Sequence, residues 1–116
     1  NQVHYSLSVR TPERSGLVDY CRRSGVTLMA YRPVRGVDRT APCLIEMAAR
    51  YQSTPAATAL NWLTAQPGVV ALVATHDPAH LAENWSSTAW RMRAADREWL
   101  REHFPQQNEL PSVALT

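Results

Sequence analysis

Three arginines, Arg32, Arg35 and Arg39, fall within one short segment that also holds Pro33 and Gly36. Guanidinium groups clustered on a loop suit a phosphate-bearing ligand, because each planar fork can pair two anionic oxygens. A solvated surface loop presents the same cluster, and the residues alone leave both readings open. An RNA contact is the poorer reading, since no aromatic side chains interleave the basic ones. His76 and His80 stand at i and i+4, the spacing of two zinc ligands on one helix face. Pro78 between them marks a helix start and leaves His76 outside the regular turn, so no metal is expected. Cys21 and Cys43 form no CxxC pair and read as small buried hydrophobes. All twelve basic residues are Arg, so no lysine is present for Schiff-base, P-loop or general-acid chemistry. The four glycines form no phosphate-cradling loop. No Ser-His-Asp arrangement is legible.

The elements that must position these groups follow from hydrophobic spacing. Residues 2–7 alternate, with Val3, Tyr5 and Leu7 on one face, and predict a strand. Thr11-Pro12-Glu13 predicts a helix start that uses the Thr11 hydroxyl as cap, with Leu17, Val18 and Cys21 on one stripe and Gly25 as the stop. Residues 26–31 (VTLMAY) and 69–74 (VVALVA) predict strands covered on both faces. Between them, Leu44, Met47, Ala48 and Tyr51 fall at i, i+3, i+4 and i+7. Thr54-Pro55 opens another helix, with Ala56, Ala59, Leu60 and Leu63 inward. Asp77-Pro78 caps a helix bearing Leu81 and Trp85. A last helix spans about 94–104 with Trp99, Leu100 and Phe104 inward, and the tail from Pro105 reads as irregular. The four tryptophans are expected to pack between helices and sheet. The order β-α-β-α-α-β-α-α predicts an α/β fold with a parallel sheet. Three strands leave two unpaired edges, so either a second copy or another chain supplies the missing strands, or the edges are covered in a way the sequence does not show.

The chain has 116 residues, 45% apolar and 19% charged, which is one domain's worth and too ordered in composition for a disordered tail. A net charge of +2 is too mild to imply a nucleic-acid surface. No apolar run approaches the roughly 20 residues of a membrane helix. No secretory signal or lipidation motif is visible, and a cytoplasmic protein with reduced thiols is expected.

Four segments, NQVHYSL, GLVDYCRRSGVTLMAYRPV, TPAATALNWLTAQPGVVALVAT and HLAENW, in that order and spacing, resemble the aldo-keto reductases, in particular bacterial diketogluconate-reductase-like members. The resemblance covers residues 1 to about 104 and implies a partial (β/α)8 barrel, half-barrel-like, made of three parallel βα units plus extra helices from the family's C-terminal portion. It implies a nicotinamide dinucleotide, NADP or NAD, laid across the C-terminal face. Gln2 matches the residue that pairs with the nicotinamide carboxamide, and Tyr31 the aromatic that stacks on that ring. Arg32, Arg35 and the rest of the loop to Arg39 match the stretch around the pyrophosphate, although Arg32 stands where Ser or Thr is usual. Thr75, His76, His80, Glu83 and Asn84 match the adenosine end. Ala74 stands for a lysine and His80 for an arginine that grip the 2′-phosphate, which implies weakened selection for NADPH. The family's catalytic Asp, Tyr, Lys and His tetrad matches nothing here. The resemblance therefore implies a chain inactive alone, completed by a homo-oligomer or a complementary barrel half. A non-catalytic, self-associating or ligand-binding module of the same descent is the other reading.

Overall fold

Strands separated by long helical stretches can return to a common sheet only in parallel, and this governs the architecture. The structure, a computed structural model, describes residues 2–73 and 75–106. Its elements are β1 (Gln2–His4), α1 (Thr11–Arg14), α2 (Leu17–Ser24), β2 (Leu28–Tyr31), α3 (Pro42–Arg50), α4 (Pro55–Thr64), β3 (Val69–Leu72), α5 (Pro78–Ser86) and α6 (Ala94–His103). The strands pair in the order β1-β2-β3, all parallel.

The strands are shorter than their apolar runs. β1 ends at His4, because the Ser6 hydroxyl accepts the amides of Ser8 (3.2 Å) and Val9 (3.0 Å) and turns the chain away from the sheet. Tyr5 and Leu7 are fully buried, but in this turn rather than on a strand. The single helix expected from Thr11 to Gly25 is two helices, broken where Gly16 takes φ 83°. Arg10, not Thr11, occupies the cap, and no side chain bonds there. Gly25, at φ 70°, closes α2 as expected, with the Val26 amide donating to the Cys21 carbonyl at 2.9 Å. Thr54 and Asp77 cap α4 and α5 by accepting from Ala57 (3.1 Å) and Ala79 (2.9 Å).

The core lies on one face of the sheet, where Leu28, Ala30 and Val69 meet Leu44, Met47, Ala59, Trp62, Leu63 and Leu100. The opposite face is open, contrary to the expectation of cover on both sides. The register rows Gln2–Met29–Val70 and His4–Tyr31–Leu72 lie there, and Val70 and Leu72 are 47% and 37% exposed. Helix α5 departs from expectation too. Leu81 and Trp85 are 60% and 77% exposed, so this tryptophan does not pack between helix and sheet. Trp62 is buried, and Trp90 and Trp99 pack against the core. Ala74 and the tail from residue 107 lie outside the described residues.

Candidate functional site

A cleft of about 820 Å³ opens beside the C-terminal ends of β2 and β3, with Gln2 of β1 in its lining. One wall is the loop after β2, where Tyr31, Arg32, Arg35 and Arg39 contribute. The other is the segment after β3 and the first turns of α5, where Thr75, His80, Glu83 and Asn84 contribute. A crevice at the carboxyl ends of parallel strands is where α/β sheets bind ligands, since the loops there are free of the ladder.

Local structure fixes the first wall. Arg32 has φ 53°, a left-handed backbone that costs a non-glycine residue about 1 kcal/mol. The Arg35 amide donates to the Arg32 carbonyl (3.3 Å) and the Val37 amide to the Val34 carbonyl (3.2 Å), coiling the loop tightly. Gly36, at φ 76°, allows the bend and accepts at its carbonyl from the Ser8 hydroxyl at 3.4 Å. Asp38 accepts from the Thr40 amide (2.9 Å) and hydroxyl (2.6 Å), and these bonds hold its carboxyl below the usual carboxylate range. The Arg32 guanidinium lies 5.9 Å from the Tyr31 ring, and its buried Nη1 has no hydrogen-bond partner among the described residues. A buried cationic donor without an acceptor is costly.

On the second wall the Thr75 hydroxyl accepts from the Asp77 amide at 3.1 Å, and Asp77 in turn caps α5. His80 Nδ1 lies 3.9 Å from Asp77 Oδ2. Glu83 and Asn84, one turn further along, are half-buried.

Of the nine residues singled out in the sequence, eight line the cleft: Gln2, Tyr31, Arg32, Arg35, Thr75, His80, Glu83 and Asn84. His76 is exposed and does not. Residue types gave no warning of the apolar floor, where Val34, Val37, Leu72 and Val73 contribute. Nor did they show that His4, 5% exposed, stacks on Tyr31 with ring centroids 5.7 Å apart. The signal was present in the period of two, which puts His4 on the face of Gln2. Cys43, half-buried, has its thiol pushed up by burial and is no thiolate nucleophile.

No protein-family model matches the chain. It is 29% identical over 98 residues to aldo-keto reductase family 1 member C23 of the horse, Equus caballus, a match that covers 75% of this chain and 30% of that protein. A thermostable aldo-keto reductase crystallised with the inhibitor epalrestat is 35% identical, with a TM-score of 0.81, over 87% of this chain and 38% of that one. An aldo/keto reductase from Klebsiella pneumoniae, in complex with NADP and acetate, is 26% identical, with a TM-score of 0.80, over 92% and 40%. The chain thus spans well under half the length of the relatives it matches. The open sheet and its helices are three consecutive βα units of a (β/α)8 barrel, which explains a face left largely uncovered along β3: in a closed barrel that face is the interior.

Proposed function

Starting from the fact that this chain belongs to the aldo-keto reductase family, we propose that its cleft holds a nicotinamide dinucleotide for the reduction of a carbonyl substrate. The observation that carries this is the buried, unpartnered Arg32 Nη1 at a cleft whose wall also bears Arg35 and Arg39. The residues fit such a ligand. Arg32, Arg35 and Arg39 face the pyrophosphate; the Gln2 amide, donor and acceptor together, pairs with the nicotinamide carboxamide; Tyr31 supplies a ring to stack on. Thr75, His80, Glu83 and Asn84 border the adenosine, with His76 outside the contact. The dinucleotide, when bound, supplies a hydride, and this chain's residues bind and orient it.

Carbonyl reduction also needs a proton donor beside the substrate. The chain has no lysine to lower a tyrosine's pKa, and the buried Tyr5 is pushed far above the ordinary phenol range by burial and by Glu13. We therefore assign proton transfer to barrel elements beyond these 116 residues, in the same or another polypeptide. The open face is where their strands belong: Val70 and Leu72, with Val73 just beyond β3, offer an apolar surface and an unpaired edge. Association through that face, with a complementary half or a second copy, accompanies this reading. So does a reducing cytoplasmic setting, in which Cys21 and Cys43 remain thiols. Among the described residues no helix is long and apolar enough to cross a membrane.

The test is calorimetric titration of the chain with NADH and NADPH, followed by an aldehyde-reduction assay. Saturable binding of at least one dinucleotide without aldehyde turnover is expected. Silence at millimolar concentrations of both would remove the proposal, and turnover by the chain alone would remove its second half.

A further inference from the structure

Helix α5 has 9 residues and buries none of them, and its apolar stripe, Leu81 and Trp85, is exposed. A helix shorter than about 12 residues is marginal in water by itself and is stabilised by packing such a stripe. Beside it lies a second groove, of about 360 Å³, whose apolar lining comes from Leu60 of α4, from Val70, Ala71 and Val73 in and after β3, and from Leu81 and Trp85. Val70 and Ala71 are neighbours on a strand and point to opposite faces of the sheet, yet both line the groove. One edge of β3 is taken by β2, so the groove runs round the other edge, which is unpaired among the described residues.

These features describe an occupant. An edge strand offers free amides and carbonyls to another strand. The sheet is parallel throughout, and parallel strands are joined through helices, so a strand added at β3 brings a helix with it. Copies of this chain do not fit the count. The barrel has eight strands and the chain brings three; two copies would bring six and three copies nine, so no ring of identical chains closes at eight. The match takes up 38% of the thermostable relative, close to three eighths, and the rest of that protein has the length of five further units.

We infer that the groove along the free edge of β3 is the docking seam for a βα unit of a complementary five-unit barrel part, in the same or another polypeptide, and that a second copy does not take its place. The incoming strand extends the sheet parallel to β3, and its helix buries Leu81 and Trp85. The inference rests on the reading above that further barrel elements complete the sheet; it adds which residues grip them and excludes self-association as a substitute. Because α5 also carries His80 and Glu83 of the cleft wall, docking at the seam steadies that wall.

The test co-expresses the 116-residue chain with the part of the thermostable aldo-keto reductase that the match leaves uncovered, and follows assembly by sedimentation and amide hydrogen exchange. A one-to-one complex is expected, with exchange slowed at residues 69–72 and 78–86 relative to the chain alone. Leu81→Ser with Trp85→Ser should weaken the complex about tenfold or more, and should leave the urea midpoint of the chain alone unchanged, since both side chains are already exposed there. Ile45→Ser, at an exposed position of α3 outside the groove, should leave the complex unchanged. A lower urea midpoint for the doubly substituted chain would assign the two residues to packing within the chain and overturn the inference. A complex indifferent to both substitutions, an equal loss in Ile45→Ser, a chain that closes on itself through Trp85, or no complex at all would overturn it too. Dinucleotide binding by the chain decides the proposed function separately from each of these results.

Discussion

Arginine meets two fates in this chain. Below the sheet, Arg10 is 1% exposed and fully engaged: Nε donates to the Leu7 carbonyl (2.8 Å), Nη1 to Arg101 (2.6 Å) and Nη2 to Phe104 (2.8 Å). It thereby caps the last carbonyls of α6, where a cation also complements the helix dipole. Beside it Arg101 grips Glu13 with two bonds, of 3.1 and 3.0 Å, and the Tyr5 hydroxyl donates to the same carboxylate. The Arg10 and Arg101 guanidiniums flank the Trp62 ring at 5.6 and 5.2 Å. In the cleft, by contrast, Arg32 is strained and has a bare Nη1, and the side chains of Arg35 and Arg39 bond to nothing among the described residues. A buried polar group that folding needs is satisfied; one left unsatisfied in a cleft is held for something else.

The largest effect that would test this contrast is at Arg10. Arg10→Met keeps length and apolar volume but strands three buried carbonyls and uncaps α6. We expect a loss of about 3 kcal/mol in urea-induced unfolding. A loss under about 1 kcal/mol would mean that water can replace the guanidinium and that this clasp is not what secures α6.

Tyr5→Phe should be milder, about 1 kcal/mol at neutral pH, as one hydrogen bond to a carboxylate goes. Its pH dependence is sharper. Burial, and then Glu13, raise the folded-state phenol above its ordinary value of 10.0. The folded state therefore holds the proton more tightly than the unfolded one, so this stability is intact below pH 10 and falls as pH rises beyond it. Unfolding midpoints measured from pH 8 to 11 should drop at the alkaline end in the parent and less in Tyr5→Phe; parallel curves would contradict the assignment.

The two regions were unequally legible in the sequence. Local spacing singled out only the arginine loop; the family resemblance, carried by contiguous segments, named the nine residues of which eight line the cleft. The clasp joins Tyr5, Arg10 and Glu13 to Gln66, Arg101 and Phe104, through bonds spanning up to 94 residues, and no local pattern predicts such contacts. The truncated β1 has a local cause instead: a hydrogen bond from the Val9 amide to the Ser6 side chain outcompeted alternation that reads as strand through Leu7. Periodicity also shows that a face is apolar without showing whether anything covers it, which is why Val70, Leu72 and Trp85 were expected inside and lie exposed.

Arg32 inverts the sign of the Arg10 result. Glycine accepts φ 53° without penalty, so Arg32→Gly should leave stability unchanged or raise it by up to about 1 kcal/mol, while NADH binding weakens about tenfold. A stabilised variant that binds as well as the parent would mean that the strained backbone serves packing rather than a ligand.

The smallest stability effect is expected at Arg35, and there the contrast is cleanest. Its side chain is exposed and bonded to nothing among the described residues, so Arg35→Ser should change unfolding free energy by no more than about 0.5 kcal/mol. If the loop faces a pyrophosphate, the same substitution should weaken NADH binding about threefold to fivefold at low salt. That deficit should narrow as ionic strength rises, because screening erodes in the parent the contact the variant has already lost. Stability and affinity would then separate completely at one residue, the reverse of Arg10, where stability falls and the cleft is untouched. Affinity that is unchanged at every salt concentration would make this loop solvated surface, and would leave Arg32 alone to carry the anion.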